Sequence, residues 1–440
     1  MKPIVVRFGA LVSHVPYALL PGIGGVYNNY LRQIKAYEKA EDKQDWIFRK
    51  TYRIVEYAIS HIPFYKEFYA RKGFSLNQLR TFEDIIKIPI VTKKDLMAVP
   101  IGERSAKSGH CYVANTGGST GVPLSFYKTK SLQIKETVFH NRGKSVLGYV
   151  QSDIRLYFIG RSKSNVLSYD LTRNRLLANI YIPFEQVLKE IASISKSARI
   201  SYIQGYPSVL YEFALYVEAH PQQYAESGLE GRIKGVFFNS EYPYPEYRKK
   251  IEDVFRAKSV ASYGHTEGCV VAFDNDGLSY QVEQSYGYAE AVQIDGERHL
   301  VGTCYDNFIS PFIRYDTGDI IDDALAENGI LRAFKMMDGG RSGQYIFDKN
   351  EKRISLTGLI FGRHHDLFNY CSQIQISQDK HGEATVYYVA GRDALDEKQA
   401  HALFDTSDID MDFSFIRIEK PVRTQSGKAL LLVNSQGIDN

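Results

Sequence analysis

The sequence is poor in the residues that staple or anchor a chain. Its four cysteines, Cys111, Cys269, Cys304 and Cys371, are scattered through 440 residues, with no C-x-x-C spacing. That argues against a disulfide framework or a zinc site and predicts reduced thiols, buried as small apolar groups, in a cytoplasmic protein. No apolar stretch reaches the ~20 clean residues of a membrane span. The nearest, Phe8 to Val26, is interrupted by His14, Pro16, Pro21 and four glycines, and it lacks the basic leader and small-residue cleavage site of a signal peptide. An amphipathic patch touching a membrane-bound partner is the other use open to it. Charge of one sign is also missing. The 54 basic and 51 acidic residues leave a formal charge of +3, and no five basic residues are consecutive, so nothing points to nucleic acid.

What is present is enough apolar residue, 44%, to fill more than one core. Single cores rarely grow beyond about 250 to 300 residues, which predicts at least two domains. Val26 to Arg80 is helical in character, with Trp46, Ile47, Tyr52, Ile54, Val55, Ala58 and Ile59 loosely at helical spacing before the breaker Ile62-Pro63. Farther on, β-branched and aromatic runs (155–159, 201–204, 235–238 and 259–262) alternate with helix-like stretches at 209–219 and 244–255. That alternation predicts an α/β core with a mostly parallel sheet flanked by helices. From about Gly277 to Ile321 the pattern changes to short strands and turns, including Asp295-Gly296, which predicts an antiparallel, β-barrel-like section. Glycines at Asp338-Gly339-Gly340 suggest a boundary. The expected organisation is a large N-terminal domain, 1–339, and a small mobile α+β domain, 340–440.

The run Ala114-Asn115-Thr116-Gly117-Gly118-Ser119-Thr120-Gly121-Val122-Pro123 follows the strand-like Cys111-Tyr112-Val113. Glycines let successive backbone N–H groups converge on one anion, and hydroxyls add uncharged donors. No lysine follows Gly121, so this is not the strand-to-helix loop G-x-x-x-x-G-K-[ST]. Pro123 and the β-prone residues after it predict a hairpin that grips phosphate between two strands.

Four further clusters follow. Tyr263-Gly264-His265-Thr266-Glu267-Gly268 sits after the strand at 259–262, at the edge where open α/β sheets bind ligands. Its Tyr could stack on a purine and its Glu suits Mg²⁺, although the string also reads as a plain turn. Arg314-Tyr315-Asp316-Thr317-Gly318-Asp319 offers carboxylates to a ribose diol, but Asp beside Gly is commonly a turn former. Gly340-Arg341-Ser342-Gly343 puts a guanidinium at the inferred junction. Arg423-Thr424-Gln425-Ser426-Gly427-Lys428 carries a lysine into the apolar run 429–433, where a lysine is also a common guard of a strand edge.

Taken in order, these strings resemble the motifs of the adenylate-forming acyl-CoA synthetase superfamily, most closely the phenylacetate-CoA ligase branch that includes the CapK proteins. The resemblance runs from about Tyr52 to Val433, and Ile59-Ser60-His61-Ile62-Pro63-Phe64-Tyr65 and Ile88-Pro89-Ile90-Val91-Thr92-Lys93-Lys94-Asp95-Leu96 look like that branch's N-terminal signatures. It implies that Thr116, Gly117, Gly118, Ser119, Thr120 and Gly121 hold the ATP phosphates. Ser240-Glu241, in Phe237-Phe238-Asn239-Ser240-Glu241, would lie along the adenine, with Tyr263 stacked near it. Thr266 would meet phosphate and Glu267 would hold Mg²⁺. Asp319 would bind the ribose, Arg341 would approach ribose and phosphate, and Lys428 would bridge the α-phosphate and the substrate carboxylate. Gln204-Gly205-Tyr206-Pro207-Ser208 resembles, more loosely, a wall of the acyl pocket.

The implied activity is activation of a small carboxylic acid by ATP, then transfer of the acyl group to a thiol, CoA or a carrier protein, or to an amine, in the setting of cell-surface polysaccharide synthesis. Two positions depart from the family pattern. Gly343 stands where a charged hinge residue is usual, and Phe347 where lysine is common; the zinc-binding cysteines of some relatives are missing. A degenerate nucleotide-binding module that holds a biosynthetic partner is therefore the alternative. An unrelated α/β hydrolase is set aside on the expectation that the chain has no nucleophile elbow. Neither the acid nor the oligomeric state is legible.

Overall fold

The computed structural model describes residues 3–106, 110–116, 124–159, 165–197, 199–277, 279–336, 345–360, 363, 365–390, 395–407, 409–424 and 427–435. The chain folds into two compact units. One gathers Met1–His14, Val150–Ala261 and Asp338–Asn440; the other gathers Val15–Tyr149 and Ser262–Met337. This is a different division from a single cut at residue 340.

The first unit is built on parallel strands in the spatial order Gly235–Asn239, Ile200–Gly205, Ile154–Ile159 and Arg175–Asn179, with Leu167–Asp170 antiparallel at the edge and the start of Ser259–Gly264 beside Gly235–Asn239. Every residue of Ile200–Gly205 is buried, the polar Ser201 and Gln204 included, as expected of a parallel strand covered on both faces. The helices Pro207–Ala219 and Pro245–Phe255 each begin on a proline, whose fixed φ and missing N–H suit a first helical position. Phe213 bridges the layers, with ring centroids 4.9 Å from Phe158 and 5.7 Å from Phe255. The same unit holds a smaller α+β region. In it Cys371–Lys380 pairs antiparallel with Glu383–Ala390, which pairs parallel with Asp412–Ile418 after a crossover through the helix Glu397–Leu403. The apolar run near the C-terminus lies along this sheet: Ile376 N donates to Leu431 O (2.7 Å) and Val433 N to Ile376 O (2.9 Å).

The second unit joins helices to an antiparallel meander. Ile62-Pro63 does end the helix Lys43–His61, but Pro63 also opens another, Pro63–Arg71. A proline that cannot continue one helix is well suited to start the next. The section expected to be barrel-like is a run of antiparallel strands in the order Gly287–Ile294, Glu297–Cys304, Tyr315–Glu327, Ile330–Met336, Tyr280–Val282 and Val271–Asp274. Asp295 (φ 48°) and Gly296 (φ 86°) turn the first hairpin, and both are left-handed as the tight two-residue turn requires. Among the described residues no helix is long and apolar enough to cross a membrane. Cys269, Cys304 and Cys371 are buried and all four thiols are free.

Candidate functional site

The glycine-rich loop sits where the sequence predicts, between Tyr112–Asn115 and Ser125–Lys128, two strands paired antiparallel from Tyr112↔Lys128 to Asn115↔Ser125. Thr116 closes the stem. Its N–H donates to Leu124 O (3.0 Å) and its Oγ1 accepts from Leu124 N (2.9 Å), so this hydroxyl first serves the hairpin; a hydroxyl that accepts one bond keeps its own O–H to donate. Gly117, Gly118, Ser119, Thr120 and Gly121 lie outside the described residues. Read as a string, Gly117-Gly118-Ser119-Thr120-Gly121 does match G-x-S-x-G. A nucleophile elbow, however, joins a strand to a helix, and a strand-to-strand hairpin is a different device.

In the same unit, Tyr263 and Asp319 meet directly: the Tyr263 hydroxyl donates to Asp319 Oδ2 at 2.6 Å. The backbone explains how Asp319 gets there. His299 is paired with Ile320, and Val301 with Asp316, so residues 317–319 bulge out opposite Leu300 alone. Such a bulge re-aims the side chains it carries. Thr317 Oγ1 anchors it on Leu300 O (2.7 Å), and Gly318 takes φ 72° at its apex, a value that costs glycine nothing. The two carboxylates thereby separate in role. Asp316 is the turn former, accepting from Gly318 N (2.9 Å) and lying 3.0 Å from His299 Nδ1, while Asp319 is held by a tyrosine.

Glu267 is mostly buried, its side chain 10% exposed. His265 Nδ1 lies 3.2 Å from its Oε2, and the Tyr315 hydroxyl donates to its Oε1 at 3.2 Å. Burial alone would raise this carboxyl, but the hydrogen bond and charge of His265, with the Tyr315 hydroxyl, more than offset that and hold it below the usual glutamate range. Glu267 is therefore an ionised carboxylate with its orientation fixed. Magnesium is usually held by one or two carboxylates together with phosphate oxygens. Glu267 alone offers one such carboxylate, and no group of three acidic, His or Cys residues able to hold a metal occurs among the described residues. Thr266, half-buried, is held through its carbonyl, which accepts from Lys128 Nζ at 3.1 Å.

Sequence reasoning missed Lys128. It stands on the far strand of the glycine-rich hairpin, 6% exposed, and pairs with Glu136 as well as with Thr266 O. The visible signal was a lysine directly after Phe126-Tyr127. It also missed Arg314, whose guanidinium makes a two-pronged pair with Glu290 (2.8 and 3.0 Å) and donates to Ile86 O and Ile88 O, each at 2.7 Å. These bonds, with Val91 N to Arg314 O (3.1 Å) and Asp316 N to Val91 O (2.9 Å), lay the signature segment 88–92 along the start of the strand that carries Asp319. That segment thus supports the carboxylate motif.

The remaining site residues belong to the first unit. Ser240 is left-handed (φ 68°), and the Glu241 carboxylate is engaged by backbone. Its Oε2 accepts from Ser208 N (3.2 Å) and its Oε1 from Ala429 N (2.9 Å). Ala429 follows Lys428. The turn carrying Lys428 is closed by Thr424 N to Lys428 O (2.9 Å), Gly427 N to Thr424 O (2.8 Å) and Lys428 N to Thr424 Oγ1 (3.1 Å). Arg423, before it, donates to Glu212 Oε1 at 2.6 Å. Phe347, at the unusual hinge-side position, ends the strand Tyr345–Phe347 and stacks on His381 with centroids 4.5 Å apart. Gly339, Gly340, Arg341 and Gly343 lie outside the described residues.

The fold is similar to that of solved CoA-ligase structures. The chain superposes on 2-hydroxyisobutyryl-CoA ligase in the postadenylation state in complex with R3-HIB-AMP over 90% of each chain, with a TM-score of 0.66 at 16% identity. It also superposes on that ligase in complex with 2-HIB-AMP and CoA, again over 90% of each chain, with a TM-score of 0.55 at 18% identity. In sequence it is similar to Protein CapK of Staphylococcus aureus, 21% identical over 425 residues and 92% of either chain. No protein-family model matches the sequence.

Proposed function

We propose that the protein is an adenylate-forming ligase that activates a small carboxylic acid with ATP and passes the acyl group to a thiol. The observation that carries this reading is the meeting of Tyr263 with Asp319, which joins the bulge to the strand-end motif that also carries the ionised Glu267. The fold of the CoA ligases and the likeness to CapK support it.

In this reading a carboxylate oxygen of the substrate attacks the α-phosphorus, and the bond to the bridging oxygen breaks, so that pyrophosphate leaves with the electron pair. Two anions are forced together, and cations and oriented N–H groups must absorb the charge. Lys428 is the cation assigned to the α-phosphate and substrate carboxylate. At about 4 Å and an effective dielectric of 20, an ammonium is worth about 4 kcal/mol to an oxyanion, on the order of a thousandfold in rate. Asp319, pinned by Tyr263, accepts from the ribose hydroxyls, and the hairpin loop 116–121, Thr266 and Arg341 receive phosphate. A magnesium ion arriving with the nucleotide would neutralise phosphate charge next to Glu267. In the second half-reaction a thiol sulfur attacks the acyl carbonyl and AMP departs with its phosphate oxygen. CoA is the acceptor that the fold supports best; a carrier-protein thiol or a sugar amine belongs to the CapK-like reading, which places the product in cell-surface polysaccharide synthesis.

Carboxylate-dependent exchange of pyrophosphate into ATP, run over aryl, fatty, hydroxy and amino acids, tests the first half. At least one class should support exchange. Nucleotide binding without exchange for any class would instead favour the degenerate binding module.

A further inference from the structure

A lysine acting at a reaction centre needs a fixed backbone, because its four-carbon stem is flexible and an error of about 1 Å can cost about a hundredfold in rate. The Lys428 turn is clamped on both sides. Upstream, Arg423 reaches Glu212 Oε1 (2.6 Å) and Ser208 Oγ (3.4 Å), and it also returns to Gly427 O (3.1 Å) inside the turn. Downstream, Ala429 N is held by Glu241 Oε1 at 2.9 Å. The clamps share an origin. Ser208 and Glu212 stand four residues apart on the helix Pro207–Ala219, hence on one face, and Glu241 accepts from Ser208 N with its other oxygen.

The pair is well shielded, with side chains 11% exposed for Arg423 and 21% for Glu212. A shielded ion pair is a poor means of gaining stability, since apolar residues of similar volume usually do as well. What it does give is direction: a planar guanidinium accepts few geometries. These polar bonds grip the turn itself, while Val422 and Leu430 on either side of it and Val433 farther on pack against Tyr387, Val389 and Ile418.

We propose that Arg423 and Glu212, with Ser208 and Glu241, are positioning residues that dock the Lys428 turn for adenylation. The inference rests on the role assigned above to Lys428. In it Glu212 and Glu241 act through the turn.

The test uses the full chain, with Arg423→Met, Glu212→Gln and the charge swap Glu212→Arg/Arg423→Glu, after thermal melts establish that each folds. Hydrogen exchange is followed in the segment 423–430, and pyrophosphate exchange with 2-hydroxyisobutyrate, phenylacetate and octanoate. Both single variants should lose protection in 423–430 but not in 200–205. They should also lose at least about tenfold in exchange kcat with ATP KM within about threefold, and the swap should recover part of both losses. Exchange within about twofold of wild type in both singles, or unchanged protection of 423–430, overturns the docking role alone. No exchange by the wild-type protein with any acid overturns the adenylation reading, and this inference with it.

Discussion

The hydroxyl of Tyr263 donates to Oδ2 of Asp319 at 2.6 Å, joining two motifs that lie 56 residues apart. An aromatic residue expected to stack near the purine thus also fixes the carboxylate expected to hold the ribose. Tyr263→Phe keeps the ring and removes the bond. A hydrogen bond to a charged group is worth about 1.5 to 3 kcal/mol, so the ATP KM should rise about tenfold or more while kcat stays within about twofold. An unchanged KM would show that Asp319 needs no such support.

Lys428→Ala should lower pyrophosphate exchange by about a hundred- to a thousandfold, the range set by removing one ammonium from an oxyanion at moderate dielectric. Thioester formation from a supplied acyl-adenylate and CoA should fall far less. Equal exchange in both proteins would remove Lys428 from the adenylation step.

Glu267 is held below the usual glutamate range by His265 and Tyr315 against the opposing effect of burial. Removing the imidazole leaves burial less opposed, so His265→Ala should raise the carboxyl and move the acid limb of the exchange profile to higher pH. Glu267→Gln should abolish that limb and raise the Mg²⁺ concentration needed for half-maximal rate. An acid limb that stays in place in His265→Ala would separate the limb from Glu267.

Asp306 supplies a stability test independent of activity. Burial would raise its carboxyl, but Lys135, 2.6 Å away and 1% exposed, together with Lys50 and Gln33, lowers it further than burial raises it. The unfolded state therefore binds more protons than the folded one just below the ordinary aspartate value of about 3.9. The stabilisation is complete above that value and is lost as pH falls through the depressed one. Asp306→Asn leaves the Lys135 ammonium buried without its counter-charge, a change that costs about 3 to 5 kcal/mol. Melts between about pH 3 and 7 should show a Tm gap to wild type that narrows toward acid; a constant gap would contradict the pairing.

Local chemistry accounts for what was legible. Strand and helix alternation, the Asp295-Gly296 turn, the hairpin around the glycine-rich loop and the order of the five clusters all follow from neighbours in the chain. The two roles left open for Asp316 and Asp319 could not be separated in that way. They depend on a bulge, set by the register of Tyr315–Glu327 against Glu297–Cys304. Lys128 and Arg314 were missed for the same reason, since their partners, Thr266 and Glu136 for one and Glu290, Ile86 and Ile88 for the other, are mostly remote in sequence. The partners of Glu241, Ser208 N and Ala429 N, are likewise remote from it in sequence.

By itself the sequence determined the fold class, the hairpin form of the glycine-rich loop and the set of strings that could meet a nucleotide, because propensity, turn chemistry and spacing are properties of short segments. Only the tertiary structure decided which carboxylate a tyrosine holds, that Glu267 is kept ionised, and that Arg423 and Glu241 grip the turn of Lys428. Those outcomes depend on desolvation and on hydrogen bonds closed between segments up to some two hundred residues apart, and such contacts exist only once the chain has folded.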